Sequence, residues 1–249
     1  MKNLDLIIQL TKTSFKLRNE GSYLGIAWYL LNPLLMFVLL YFIFSKNLGT
    51  GVEYYPLYLL LGLIQFNFIT LATGASMENI IQNSHLIKSL NFSRESLIIS
   101  NVLMALISHF FELLVFIIFL LFFGITPYLL PLFLIVLLMM FLFTLGLCFA
   151  LSSIMIYFRD LNNIWMFASR IWWFGTPIFY VVTEANGMLY KINLFNPMYH
   201  IISISRDLLI YSKLPDLSSV LILVGFTAVS FVFGYLIFNK LKNKFAEMV

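Results

Sequence analysis

Few residues in this chain are of a type that does chemistry, and most of them stand alone. His109 and Glu112 lie three residues apart in NVLMALISHFFELLVF, so an imidazole and a carboxyl share one helical face. Such a pair can relay a proton or bind two helices together. With Asn101, Ala105 and Ser108 nearby and no second acidic residue at that depth, the packing role is favoured over a relay. The other histidines, His85 and His200, fall in separate segments, and the single cysteine, Cys148, sits inside an apolar run. Neither a metal site nor a disulfide is expected. No G-x-x-x-x-G-K-[ST] stretch occurs, so the chain carries no phosphate-cradling loop of its own.

The densest mixture of charge and aromatic rings is YFRDLNNIWMFASRIWWFGTPIFY, residues 157–180. Arg159 closes one helix, where a cation suits the negative end, and Asp160 opens the next, where a carboxylate caps free amides. The pair reads as a tight inner turn, and it is also placed to meet a cytoplasmic partner. Trp165, Ser169, Trp172, Thr176 and Phe179 recur every three or four residues and share a face. Arg170 either snorkels to the inner surface or faces a wet cavity. Pro177 breaks the hydrogen-bond ladder. Trp165 fits an interfacial aromatic belt, but Trp172 and Trp173 lie too deep for one and belong to a core or to a cavity wall. A wall of rings beside polar groups can stack the apolar faces of sugars.

The elements that must position these residues are membrane helices. Of 249 residues, 61% are hydrophobic and 10% charged, which excludes an ordinary soluble domain. Apolar runs long enough to cross a bilayer predict six spans, at about 25–45, 55–78, 96–123, 129–158, 162–182 and 217–239. Asn32 and Pro33 fall near the start of the first. Residues 4–17 predict an amphipathic helix lying in the interface, with Leu4, Ile7, Ile8 and Phe15 on one face and Lys12 and Lys16 elsewhere. With both termini inside, ten lysines and arginines are cytoplasmic, and four, Lys46, Lys191, Arg206 and Lys213, are outside. The cytoplasmic loop 79–95 has a short apolar pattern of its own. In the outer segment 183–216, Asn196-Pro197 marks a helix start, and Met198, Ile201, Ile202, Leu208 and Leu209 follow at helical spacing. That helix is too short and polar to span. The whole is one all-α domain: 1–24 amphipathic, 25–182 the first five spans, 183–216 outer re-entrant helices, 217–239 the sixth span, 240–249 a cytoplasmic tail.

Four segments in order then carry a resemblance. FKLRNEGSYLGIAWYLLNPLL (15–35), YFRDL (157–161) with TPIFY (176–180), FNPMYHIISISRDLL (195–209) and the closing FNKLKNKFAEMV resemble the membrane subunits of ABC-2 type polysaccharide exporters, over nearly the full length. The resemblance implies the type V exporter fold and a homodimer in the cytoplasmic (inner) membrane. It also implies two separate ATP-binding cassette subunits, which would hold the ATP and Mg, and a lipid-linked polysaccharide of O-antigen type as cargo. No nucleic acid partner is implied. Ser84, His85, Leu86 and Lys88 would couple to the ATPase. Lys12, Lys16 and Arg18 would gate the inner face near the lipid head group. The outer helices around 187–211 would cap the channel. Trp28, Tyr29, Trp165, Trp172, Phe179 and Tyr180 would line the polymer path. Alternatives are an ABC-2 permease for teichoic acid, capsule or a small drug or lipid, and a membrane-embedded transferase that makes the glycan. The transferase would need a cluster of acidic or histidine residues at one membrane face, which His109 and Glu112 alone do not form.

Overall fold

Long runs of Leu, Ile, Phe and Val offer the backbone no partner in lipid but itself, and here they fold as helices. The computed structural model describes residues 3–20, 23–25, 27–49, 51–82, 93–183, 185, 187–242 and 245; the side chains of Asn3, Asn19, Tyr29, Asn47, Asn79 and Ile81 lie outside that description. In chain order the helices are α1 (Asn3–Asn19), α2 (Ala27–Leu48), α3 (Tyr55–Gln82), α4 (Arg94–Phe122), α5 (Leu130–Tyr157), α6 (Leu161–Gly175), α7 (Met188–Leu194), α8 (Pro197–Leu209) and α9 (Leu217–Leu241). No strand occurs among the described residues.

Four segments, Tyr55–Glu78, Arg94–Phe122, Leu130–Tyr157 and Leu217–Leu241, are long and apolar enough to cross a membrane. α2 adds a shorter apolar run, Leu30–Lys46, with Pro33 inside the helix. The expected fifth span differs. α6 stops at Gly175 after 15 residues. At ~1.5 Å per residue that is roughly 22 Å, short of a hydrocarbon core of about 30 Å. Residues 176–183 continue without regular structure.

α3 is the central post. Leu57, Leu59, Leu60, Leu61, Ile64 and Ile69 are all sealed from solvent. α4 and α5 pack on it, α1 lies along α4, and α8 wedges against α3, α5 and α9. The tightest crossing joins α5 to α9. A Cβ on Gly146 would sit 2.6 Å from the Phe231 amide nitrogen, and one on Gly234 would run into the Gly146 carbonyl. Small residues let the two backbones touch, as membrane helices without a hydrophobic drive between them require. Ser230 adds a bridge, donating to the Phe143 carbonyl at 2.8 Å. At the far end of α9, Lys242 Nζ donates to Glu95 Oε1 at 2.7 Å, tying the helix to the start of α4.

α1 divides its apolar side. Leu10 packs on the core and Thr11 is buried, while Leu4 (70% exposed) and Ile8 (51%) face away from the protein. That leaves a greasy stripe suited to a membrane surface.

Candidate functional site

Two segments far apart in sequence meet where α6 ends and α8 begins. Asn196 holds the N-cap of α8, its Oδ1 accepting from the Met198 amide at 3.1 Å, with Pro197 in the first turn. The same oxygen accepts from Trp172 Nε1 at 2.7 Å, and Asn196 Nδ2 donates to Thr176 Oγ1 at 2.9 Å. One amide therefore staples the end of α6 to the start of α8.

The irregular stretch beyond Gly175 is closed by a second device. Its four consecutive carbonyls from Pro177 to Tyr180 each have a donor. Arg206 Nη1 donates to the Pro177 oxygen at 2.9 Å and Nη2 to the Ile178 oxygen at 2.8 Å. The Tyr55 hydroxyl donates to the Phe179 oxygen and the Tyr58 hydroxyl to the Tyr180 oxygen, both at 2.9 Å. Arg206 also donates to the Tyr58 carbonyl from Nε at 3.2 Å and Nη2 at 3.0 Å, with its Cζ 3.2 Å from the Tyr58 ring centre. Non-helical backbone survives in a greasy protein only when its polar groups are met in this way. Beside the clamp, burial lowers the pKa of His200, opposed by its bond to the Leu194 carbonyl. Burial pushes the Asp207 carboxyl up, against the pull of Lys213 and Arg206.

Between α2, α3 and α6 lies an open groove of about 300 Å³. Its polar wall is Asn32, Asn67, Thr70, Ser169 and Arg170, with Phe66 and Trp173 as the rings among them. Arg170 has no ion-pair partner among the described residues. Asn67 is fixed from behind: its Nδ2 donates to Glu112 Oε1 at 2.6 Å, and Glu112 Oε2 is 3.4 Å from His109 Nδ1. The histidine and glutamate are both buried, so the pair acts as a packing contact that also sets the rotamer of a groove residue. Arg170 thus faces a cavity at helix depth, the second of the two readings its position allows.

The expected aromatic residues are placed as follows. Trp165 Nε1 donates to Thr73 Oγ1 on α3 at 2.9 Å, and Trp172 is tied to Asn196, so both indoles anchor α6 inward. Neither lines the groove, where Trp173 stands instead. Phe179 is buried, stacked on Phe44 at 5.0 Å and tilted against Trp173 at 5.5 Å. The Tyr180 hydroxyl returns to the Phe174 carbonyl at 3.0 Å. Trp28 is exposed on α2, and the side chain of Tyr29 lies outside the described residues.

A larger cavity, about 540 Å³, opens between α1, α3 and α4, with Thr13, Ser14, Arg18, Glu78, Gln82 and Asn101 on its wall. Of the three basic residues expected near a head group, Arg18 lines it and its Nη1 lies 3.5 Å from Met104 Sδ; Lys12 and Lys16 are exposed elsewhere on α1. Arg159 and Asp160 form the exposed turn between α5 and α6, but Asp160 makes no side-chain bond to the helix it caps. Its backbone carbonyl, accepting from Ile164, starts α6 unaided. Ser84, His85, Leu86 and Lys88 lie outside the described residues.

Sequence reasoning missed Tyr55, Tyr58, Asn67 and the clamping role of Arg206. For Arg206 a signal existed, a lone cation in a helix otherwise rich in Ile and Leu. For the tyrosines there was none, since any interfacial tyrosine looks alike in sequence.

Residues 5–210 match the family model described as ABC-2 type transporter. The chain is 30% identical over 251 residues to an O-antigen export system permease protein RfbA of Klebsiella pneumoniae, covering 98% of this chain and 95% of that one. A second Klebsiella pneumoniae RfbA matches equally, and RfbA of Myxococcus xanthus is 25% identical over 250 residues.

Proposed function

This chain belongs to the ABC-2 type transporter family, and we propose that it is the transmembrane permease subunit of an ATP-driven exporter moving lipid-linked polysaccharide of O-antigen type across the cytoplasmic membrane. The observation that carries the reading is end-to-end similarity to O-antigen export permeases, 98% of the chain at 30% identity. ATP is hydrolysed by a separate partner subunit. The chain acts as one membrane domain crossing six times with both termini inside: α2, and α6 together with the clamped stretch 176–183, serve as the first and fifth crossings.

Two copies assemble along α2 and α6. That face is apolar and uncovered: Phe42 is 78% exposed, Phe167 67% and Phe174 63%, and α6 has no buried residue. In the dimer the groove of Asn32, Asn67, Ser169, Arg170 and Trp173 opens toward the polymer path. Polar groups there exchange hydrogen bonds with sugar hydroxyls, while the rings stack on their apolar faces. A chain sliding past needs many weak contacts rather than one tight one, and a wet, shallow groove supplies them. α1 lies on the inner leaflet and Arg18 meets the head group of the carrier lipid. The segment around Ser84, His85, Leu86 and Lys88 meets the ATPase.

The test is reconstitution. The chain and its ATP-binding partner are placed in vesicles with a fluorescent lipid-linked glycan, and transfer to the opposite leaflet is measured. Transfer that needs ATP and both subunits is expected. Glycan transfer by the chain alone, or bond-forming activity on the glycan without the partner, would overturn the proposal.

A further inference from the structure

α8 is buried along most of its surface, with Ile201, Ile202, Leu208 and Leu209 sealed. Yet Tyr199, Ser203 and Asp207, spaced four residues apart, form a polar stripe down one side that is only partly covered. The stripe is one wall of a cavity of about 320 Å³, which Glu53, Tyr58 and Tyr211 help to close. Among the described residues the Tyr199 hydroxyl, the Ser203 hydroxyl and the Asp207 carboxylate make no side-chain hydrogen bond.

Arg206 forms the floor, 4% exposed. A guanidinium has five N–H donors. Four are spent on the Tyr58, Pro177 and Ile178 carbonyls, and the fifth, on Nη1, has no acceptor among the described residues. The cavity therefore offers a buried donor, two hydroxyls and two carboxylates, Asp207 and Glu53, between tyrosine rings. Its size falls within the range of small-molecule pockets, about 300–1,000 Å³.

This inventory selects among ligands. A metal ion is disfavoured, since no group of three carboxylates, histidines or cysteines exists among the described residues. An anion meets two carboxylates at the rim. An acyl chain finds too many polar atoms without partners. A neutral ring bearing adjacent hydroxyls satisfies all of them: vicinal hydroxyls donate to a carboxylate, accept from the arginine and tyrosine, and the C–H face lies against a ring. We propose that this cavity is a carbohydrate subsite that holds one pyranose unit of the exported glycan at the end of the permease where α6 meets α8, separate from the groove between α2, α3 and α6. The source of the sugar rests on the permease reading; the recognition chemistry does not. Partial burial of Asp207, which raises its pKa, increases the gain from a donor on the bound sugar.

The test uses the full chain with its ATP-binding partner in lipid nanodiscs. Methyl α-D-mannopyranoside and methyl α-D-glucopyranoside are the probes, followed by saturation-transfer difference NMR. At least one glycoside should bind the parent. Asp207→Asn, which keeps the shape, should weaken it at least tenfold, the worth of one hydrogen bond to a charged group. Ser203→Trp, which fills the cavity, should abolish it. Lipid-linked glycan added to the discs should displace the glycoside. Absence of glycoside binding to the parent, parent-like binding by Asp207→Asn, or failure of lipid-linked glycan to compete would each overturn the subsite. Export by the parent is measured in parallel. Export without glycoside binding removes the subsite alone, whereas Asp207-dependent binding in a parent that exports nothing upholds the site and removes the permease reading.

Discussion

Replacing Arg206 by lysine tests the clamp on the stretch beyond α6. The guanidinium reaches three carbonyls on two elements through four bonds of 2.8–3.2 Å. A lysine keeps the charge, but its single nitrogen cannot face the Tyr58 carbonyl on α3 and the Pro177 and Ile178 carbonyls together. At least two bonds to a charged donor are lost, and one of the three carbonyls loses its Arg206 donor outright. With each such bond contributing about 1.5–3 kcal/mol and some relaxation around the smaller head, the net loss is about 3–5 kcal/mol. For a chain of this size that lowers the unfolding midpoint by roughly 6–20 °C. Thermal unfolding of the detergent-solubilised protein, followed by size exclusion, reads the shift. Hydrogen–deuterium exchange should show faster exchange of the Ile178–Tyr180 amides with little change in α5. Tyr58→Phe, which removes one neutral bond to the Tyr180 carbonyl, should cost about 1 kcal/mol. The double variant should lose less than the sum, because both residues hold one segment. An unchanged midpoint and unchanged exchange at 176–181 in Arg206→Lys would refute the clamp.

Three further outcomes are expected. Glu112→Ala leaves Asn67 and His109 without their buried partner and should cost about 3–5 kcal/mol, whereas Glu112→Gln should cost much less; thermal unfolding separates the two. Gly234→Leu should force α9 off α5 and abolish folded protein on size exclusion, while Gly225→Leu, where a Cβ meets nothing within 4 Å, should be neutral. Buried His200 has its pKa lowered from an ordinary 6.5, so the unfolded chain binds the extra proton first. Stability should therefore hold above that value and fall as pH drops below it, and His200→Gln should flatten the profile in melts between pH 7.5 and 5.5.

What hydropathy could read, it read closely. The runs expected at 55–78, 96–123, 129–158 and 217–239 became α3, α4, α5 and α9, with ends that agree to within a few residues, because an uninterrupted apolar run of that length has no other stable form in lipid. The Asn196-Pro197 start was equally plain, since capping is local chemistry. Pro177 marked a break near the end of α6, but not what would hold the backbone beyond it. Apolar character continues past Gly175 to Val182, and nothing in it discloses that Tyr55, Tyr58 and Arg206 supply the donors that let the helix stop. Arg206 counted as an outer-loop cation because its burial depends on carbonyls brought from other elements. Trp165 and Trp172 share a face as their spacing demands, but periodicity does not say which of its members meet a cavity: Ser169 lines the groove, while the two indoles bond Thr73 and Asn196.

The contact between Gly146 and Gly234 has a mechanical corollary. With no side chain between them the backbones of α5 and α9 meet directly, which favours their moving together as one stiff spar. Whatever deformation a working cycle demands must be absorbed by less tightly packed parts, and α6, which has no buried residue and is tied by a few indole and amide bonds, is one of them. A cross-link between α5 and α9 should thus leave turnover intact, while one pinning α6 to α3 should arrest it.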